Sequence, residues 1–185
     1  MAKRRKPARK APVRRRSAAK RKPAKKKVAA IPAAFHSVTP YLVCRDTGRV
    51  IEFYKKAFGA RLKLKMAGPG GGVMHAEMRI GDSTLMLGDE MPERGATSPQ
   101  TLGGTASSLY IYAPNVDKAY ARAVAAGATS EMAPQDMFWG DRYCKLIDPF
   151  GHKWSIGTHI EDVSPKEMAR RGREFMAQVP SDVPS

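Results

Sequence analysis

The sequence predicts an α+β fold made of two βαβββ modules behind a basic arm. Three observations carry that expectation. Val50, Phe53, Tyr54, Ala57 and Phe58 fall on one face of a helix, and Val116, Ala119, Tyr120, Ala123 and Val124 repeat the same spacing. Each of these helices follows one extended stretch and precedes three short ones. The excess positive charge is confined to one end of the chain.

The chain has 185 residues, with 33 Lys and Arg against 17 Asp and Glu. Residues 1–27 hold 15 of the basic side chains and no acid, which leaves 18 basic against 17 acidic in the remainder. The strongly basic pI of 10.2 therefore belongs to an arm on a nearly neutral body. Residues 1–34 are mostly Lys, Arg, Ala and Pro, with too little apolar surface to offset the entropy of ordering, so disorder is expected there. Arg14, Arg15, Arg16 and Lys25, Lys26, Lys27 would neutralise phosphates and bind nucleic acid without reading sequence, because no aromatic side chain is interleaved to stack on bases. A solubilising or targeting tail, or a contact with anionic lipid, is the alternative. No apolar run reaches the length of a membrane span, and no apolar core follows the basic stretch as a secretory signal requires. Cys44 and Cys144 lie in apolar segments and read as buried thiols in a reducing setting. The expected placement is cytoplasmic, with nucleoid or nuclear association through the arm.

Within the body, residues 35–162, module 1 spans about 36–90 and module 2 about 106–160. Val38–Cys44 is extended, Asp46 caps a helix, and Gly59 ends it. Ala60–Ala67, Met74–Ile80 and Thr84–Leu87 follow as strands, the last two joined by a turn at Gly81-Asp82-Ser83. The second half repeats this with Ser108–Ala113, a helix from Asn115 to Gly127, and strands near Thr129–Pro134, Arg142–Ile147 and Lys153–Gly157. Asp148-Pro149-Phe150-Gly151 is its last turn. Residues 163–185 form a C-terminal helix and tail, opened by Ser164-Pro165-Lys166-Glu167, which has the form of a capping box with proline at the first helical position.

Several stretches together resemble the vicinal oxygen chelate superfamily of glyoxalase I, bleomycin-resistance proteins, fosfomycin-resistance enzymes and extradiol dioxygenases. They are Thr39-Pro40-Tyr41-Leu42-Val43, Ile51-Glu52-Phe53-Tyr54 leading to Phe58-Gly59-Ala60, and Asp148-Pro149-Phe150-Gly151-His152-Lys153-Trp154. His75-Ala76-Glu77-Met78-Arg79-Ile80-Gly81 and Phe138-Trp139-Gly140-Asp141-Arg142-Tyr143 resemble its PhnB-type branch in particular. The resemblance covers roughly residues 36–165. It implies that the strands of the two modules form a curved mixed sheet around a cavity, and that the chain forms a homodimer. It also implies metal-ligand positions at the first and last strands of each module, which fall here on Thr39, Met86, Ser108 and Ser155. Two serines, a threonine and a thioether are poor donors for a divalent cation, so no cofactor is expected at those positions. A divalent metal held elsewhere stays open.

Strand alternation sorts the remaining candidates. Thr39, Tyr41 and Val43 share one face, with Leu42 and Cys44 on the helix side. Ser108, Tyr110 and Tyr112 share another, with Leu109 and Ile111 behind them, and Met86 faces in between Leu85 and Leu87. Met74, Ala76, Met78 and Ile80 form an apolar face that leaves His75, Glu77 and Arg79 opposite. His75 and Glu77 read as an acid/base couple, an off-pattern metal pair, or a solvent-facing pair without chemistry. The Phe138–Tyr143 stretch suits a pocket mouth; alternatively Trp139 and Tyr143 close the core while Asp141 pairs with Arg142. Gly68-Pro69-Gly70-Gly71-Gly72 reads as a hairpin loop, and His152 and His159 as structural.

Three functions follow as expectations. The first is a binding module without the standard metal, holding a small, partly aromatic molecule among Tyr41, Met86, Tyr110, Tyr112, Trp139 and Arg142. The second is a glyoxalase-type lyase or isomerase that uses His75 and Glu77, with or without a metal. The third is a nucleic-acid-associated protein that works through its arm. Hydrolase chemistry has no support, because no nucleophile–base constellation is visible.

Overall fold

A computed structural model describes residues 28–178. The nucleic-acid candidates Arg14, Arg15, Arg16, Lys25, Lys26 and Lys27 lie outside the described residues. Among the described residues, one compact unit begins at Ile31. Residues 28–30 belong to the other unit and carry no helix or strand.

Module 1 comprises β1 (Tyr41–Cys44), α1 (Thr47–Phe58), β2 (Arg61–Ala67), β3 (Val73–Ile80) and β4 (Ser83–Asp89). A single turn, α2 (Pro99–Leu102), lies in the connection. Module 2 comprises β5 (Ser108–Tyr112), α3 (Val116–Ala126), β6 (Thr129–Asp136), β7 (Asp141–Ile147) and β8 (Lys153–His159), followed by α4 (Pro165–Gln178). The strands form two four-stranded mixed sheets of identical topology, ordered β1-β4-β3-β2 and β5-β8-β7-β6. In each, the first strand runs parallel to the last.

The same local chemistry starts both helices. Asp46 accepts from Arg49 N at 3.0 Å and Asn115 from Lys118 N at 2.8 Å, each satisfying a donor that the helix itself leaves free. The last strand of each module adds a second acceptor: Asp89 Oδ1 takes Thr47 N at 2.8 Å, and Thr158 Oγ1 takes Val116 N at 2.8 Å. The start of α4 departs from the expected reciprocal box. Ser164 Oγ accepts from Glu167 N at 3.3 Å, but the Glu167 carboxylate turns to Arg170 and Arg171 instead of returning to Ser164.

α1 and α3 pack on each other and on one face of the sheets. Their core includes Val50, Tyr54, Ala57, Leu87, Leu146 and Ile156, each at most 1% exposed. Burying a large apolar side chain of this kind contributes roughly 1.5–3 kcal/mol. The α3 stripe is narrower than its spacing predicts, since Val124 stays 40% exposed. Across the seam, the Asp148 carboxylate ties the modules together. It accepts from Tyr54 OH of α1 (2.9 Å), Trp154 Nε1 (3.0 Å) and the backbone amides of Phe150 and His152 (2.9 Å each).

Strand alternation follows the expected pattern, with Cys44, Ala76, Met78, Leu85, Leu87 and Trp154 buried on the helix side. Met74 is the exception. The pairing passes from Met66–His75 to Ala67–Val73, so Met74 is the extra residue of a bulge; its side chain points out while Val73 takes the buried place. Among the described residues, no helix is long and apolar enough to cross a membrane.

Candidate functional site

Opposite the helix layer, each sheet keeps an open face. On module 2 this face is organised by one buried carboxylate, Asp141, at the start of β7. Its Oδ2 accepts from Tyr110 OH (3.0 Å), Tyr112 OH (3.2 Å) and Trp139 Nε1 (3.3 Å), and its Oδ1 lies 2.9 Å from His159 Nδ1. Burial pulls the Asp141 carboxyl upward, but bonds from His159, Tyr110, Tyr112 and Trp139 outweigh it and hold the group below the usual carboxylate range. His159 also reaches Asp162 at 2.9 Å, and the two carboxylates raise its pKa, Asp162 contributing most.

The rings around Asp141 support one another. Tyr110 stacks on Tyr143 at 5.6 Å and leans on Tyr112 at 4.8 Å, and Trp139 meets Tyr143 edge-on at 5.5 Å. Tyr143 OH and Ser155 Oγ are 2.7 Å apart, and Ser108 Oγ lies 3.4 Å from Ser155 Oγ. Gly140 makes the turn into this site possible. Its φ is +95°, and a Cβ there would collide with the carbonyl oxygen of Glu161, whose own amide donates to Gly140 O at 3.0 Å. Just beyond it, Phe138 packs against Gly172 and Phe175 of α4.

Module 1 offers a smaller arrangement on its open face. Tyr41 stacks on His75 with ring centres 5.9 Å apart, and His75 Nε2 lies 3.4 Å from Glu77 Oε1. Both members of the pair are partly exposed. Tyr41 and Tyr110 occupy matching places, each with its hydroxyl set against a glycine of the last strand, Gly88 or Gly157. A Cβ at either glycine would collide with that hydroxyl.

Two sequence expectations need correction. Arg142 does not line the open face. As the neighbour of Asp141 it points to the helix side, where it bonds Asp117 at 2.8 and 2.9 Å and Asp136 at 2.9 Å. It therefore neither reaches a ligand on the open face nor pairs with Asp141. Nor do the expected lining residues share one cavity within the chain. Tyr41 and Met86 pair in register on the module 1 sheet, whereas Tyr110, Tyr112 and Trp139 gather on module 2. A cavity of about 360 Å³ does lie at the seam between the modules. Its lining of Pro40, the β3–β4 turn, β5 and Trp154 includes Tyr110 and Tyr112 but leaves out Tyr41, Met86 and Trp139. Asp141 was not identified as the hub from sequence, because a carboxylate beside an arginine suggests a pair; only the alternation of β7 separates the two.

The positions implied for a family metal present poor ligands. Thr39 Oγ1 donates to His36 O, Met86 offers a thioether, and Ser155 is hydrogen-bonded with Tyr143. Among the described residues, no group of three or more His, Cys, Asp or Glu is placed to hold a metal ion. These donors do not fit a divalent cation. The other histidine of the turn, His152, is buried with Nε2 3.8 Å from Cys44 Sγ. Burial lowers the imidazole and pushes the Cys44 thiol up to about 12, so the contact is one of neutral groups.

This pair of modules defines a class. Residues 34–156 match the Glyoxalase/Bleomycin resistance protein/Dioxygenase superfamily, and the chain belongs to it. An uncharacterized protein of Mycobacterium bovis is 39% identical over 135 residues, covering 71% of this chain and 89% of the relative. Protein YjdN of Escherichia coli is 28% identical, covering 65% of this chain and 94% of YjdN. Among solved structures, TioX from Micromonospora sp. ML1 superposes with a TM-score of 0.55 at 26% identity, over 66% of this chain and 97% of TioX.

Proposed function

We propose that this chain is a binding protein for a small, partly aromatic molecule, with no metal at the superfamily's usual positions. The observation that carries the proposal is the Asp141 hub. Four donors converge on one buried carboxylate, yet Tyr110 and Tyr112 remain 44% and 67% exposed. Rings held in place before a ligand arrives lose little freedom when it docks. Both open faces also expose apolar side chains, including Tyr41, Leu64, Met66, Tyr110 and Tyr112, and a second copy of the chain is the proposed cover.

The test is thermal denaturation and calorimetric titration of the full chain against a panel of small aromatic molecules, with and without chelator. The reading expects a saturable response that survives chelator and His75→Ala but is lost in Tyr112→Ala. A response abolished by chelator, or unchanged in Tyr112→Ala, would sink it. A second reading rests on the His75–Glu77 contact at 3.4 Å, which sets an imidazole beside a carboxylate on the open face as the acid/base couple of a lyase or isomerase. It requires turnover that disappears in both His75→Ala and Glu77→Gln.

A further inference from the structure

The module 1 sheet changes character along its length, and β2, β3 and β4 agree on the direction. One cross-sheet row, set by register, is Tyr41, Met86, Glu77 and Leu64. The next row toward the β3–β4 turn is Thr84, Arg79 and Arg61. Beyond the Tyr41–Met86–Glu77–Leu64 row, β4, β3 and β2 thus present a hydroxyl and two guanidinium groups.

Arg61 and Arg79 stand directly opposite each other on neighbouring antiparallel strands, an arrangement that repels unless something negative lies between. No carboxylate of the described residues pairs with either arginine or with Lys63. Arg79 Nε donates to Gly81 O at 3.3 Å, which leaves the end of its fork free among these residues. Lys63 joins the two arginines because the β2–β3 register skips it: Leu62 pairs with Met78 and Leu64 with Glu77.

The three cations line a pocket of about 380 Å³ together with Ala34, Glu77 and Thr84. Thr84 donates to Ala34 O at 2.5 Å and so pins the segment before β1 as a wall of this pocket. The one carboxylate in the lining, Glu77, is engaged by His75 in the direction away from the arginine row.

We infer that Arg61, Lys63 and Arg79 form an oxyanion pocket, suited to a phosphate or carboxylate group carried on an apolar or aromatic body. The guanidinium forks bind the planar or tetrahedral oxyanion, and the Tyr41–Met86–Leu64 row receives the body. The anion site stands on its own geometry; only the placement of the body rests on the small-molecule reading above.

The experiment is calorimetric titration of the full chain at constant ionic strength with inorganic phosphate, phenyl phosphate and benzyl alcohol, repeated in the Arg61→Gln/Arg79→Gln double variant. Both arginines are on the open face, and the basic arm is identical in the two proteins, so its non-specific phosphate binding cancels in the comparison. The expected result is saturable phosphate binding that weakens by about tenfold or more in the variant, with phenyl phosphate tighter than phosphate. Phosphate binding that is absent, or equal in both proteins, overturns the pocket. If phosphate binding needs the arginines while the phenyl group adds nothing, the pocket stands and the seat for the body on the Tyr41–Met86–Leu64 row falls. If benzyl alcohol binds both proteins equally and phosphate binds neither, the pocket falls and the small-molecule reading stands.

Discussion

The two modules share a topology, a helix start and a tyrosine set against a glycine, but they treat their polar groups in opposite ways. Module 2 buries a carboxylate and surrounds it with four donors, so Asp141, Tyr110, Tyr112, Trp139 and His159 satisfy one another. Module 1 places a histidine where module 2 stacks Tyr143, leaves His75 and Glu77 partly exposed, and lines up Arg61 and Arg79 with no carboxylate of the described residues paired to either. Saturated polar groups build a rigid surface, whereas unsaturated ones stay available to a ligand. A duplicated scaffold thus carries a shaped face in one copy and a chemically open face in the other.

The largest test removes what joins the copies. Asp148→Ala strips the acceptor from Tyr54, Trp154 and two backbone amides at the seam and is expected to cost about 3–5 kcal/mol, read as a lower urea midpoint. Asp141→Asn keeps the shape but weakens four bonds, with an expected loss of about 1–3 kcal/mol and a fall in the His159 pKa toward its ordinary value by NMR titration. Next come the two glycines. Gly157→Ala and Gly88→Ala each drive a methyl into a tyrosine hydroxyl, at about 1–3 kcal/mol. Gly88→Ala should cost more, since the Met74 carbonyl oxygen is also only 2.9 Å from the new Cβ.

A pH series sharpens the contrast. Asp141 lies below its ordinary 3.8, so its stabilisation is present above that value and is lost as the pH falls through the lower folded pKa. His159 lies above its ordinary 6.5, so its share is complete below pH 6.5 and is lost as the pH rises through the raised folded value. Melting temperatures of the wild type and His159→Asn should therefore converge on the alkaline side. The smallest effect belongs to module 1: Glu77→Gln should change stability by no more than about 0.5 kcal/mol. A larger loss there would erase the distinction between the modules.

The duplicated architecture was legible because periodicity and caps are local. Asp46, Gly59, Asn115 and Gly127 bracket both helices as their spacing predicts. Site features that depend on pairing were not. The bulges that expel Met74 and skip Lys63 follow from strand register, which one strand's sequence does not contain. Likewise, Arg61 facing Arg79 becomes visible only once β2 and β3 are aligned. Asp141 and Arg142 look like partners in the sequence, yet alternation sends them to opposite sides of β7, where each finds other company.

Each module also carries its own clock. Cys44 and Cys144 are free thiols, 1% and 0% exposed, one in each half, with pKa values raised to about 12 and about 11 chiefly by burial. Neither reacts with an alkylating reagent while its surroundings stay closed, because the thiolate is scarce and unreachable. The labelling rate at each cysteine therefore times the opening of the half that holds it, and the ratio of the two rates reports whether the halves breathe together or separately.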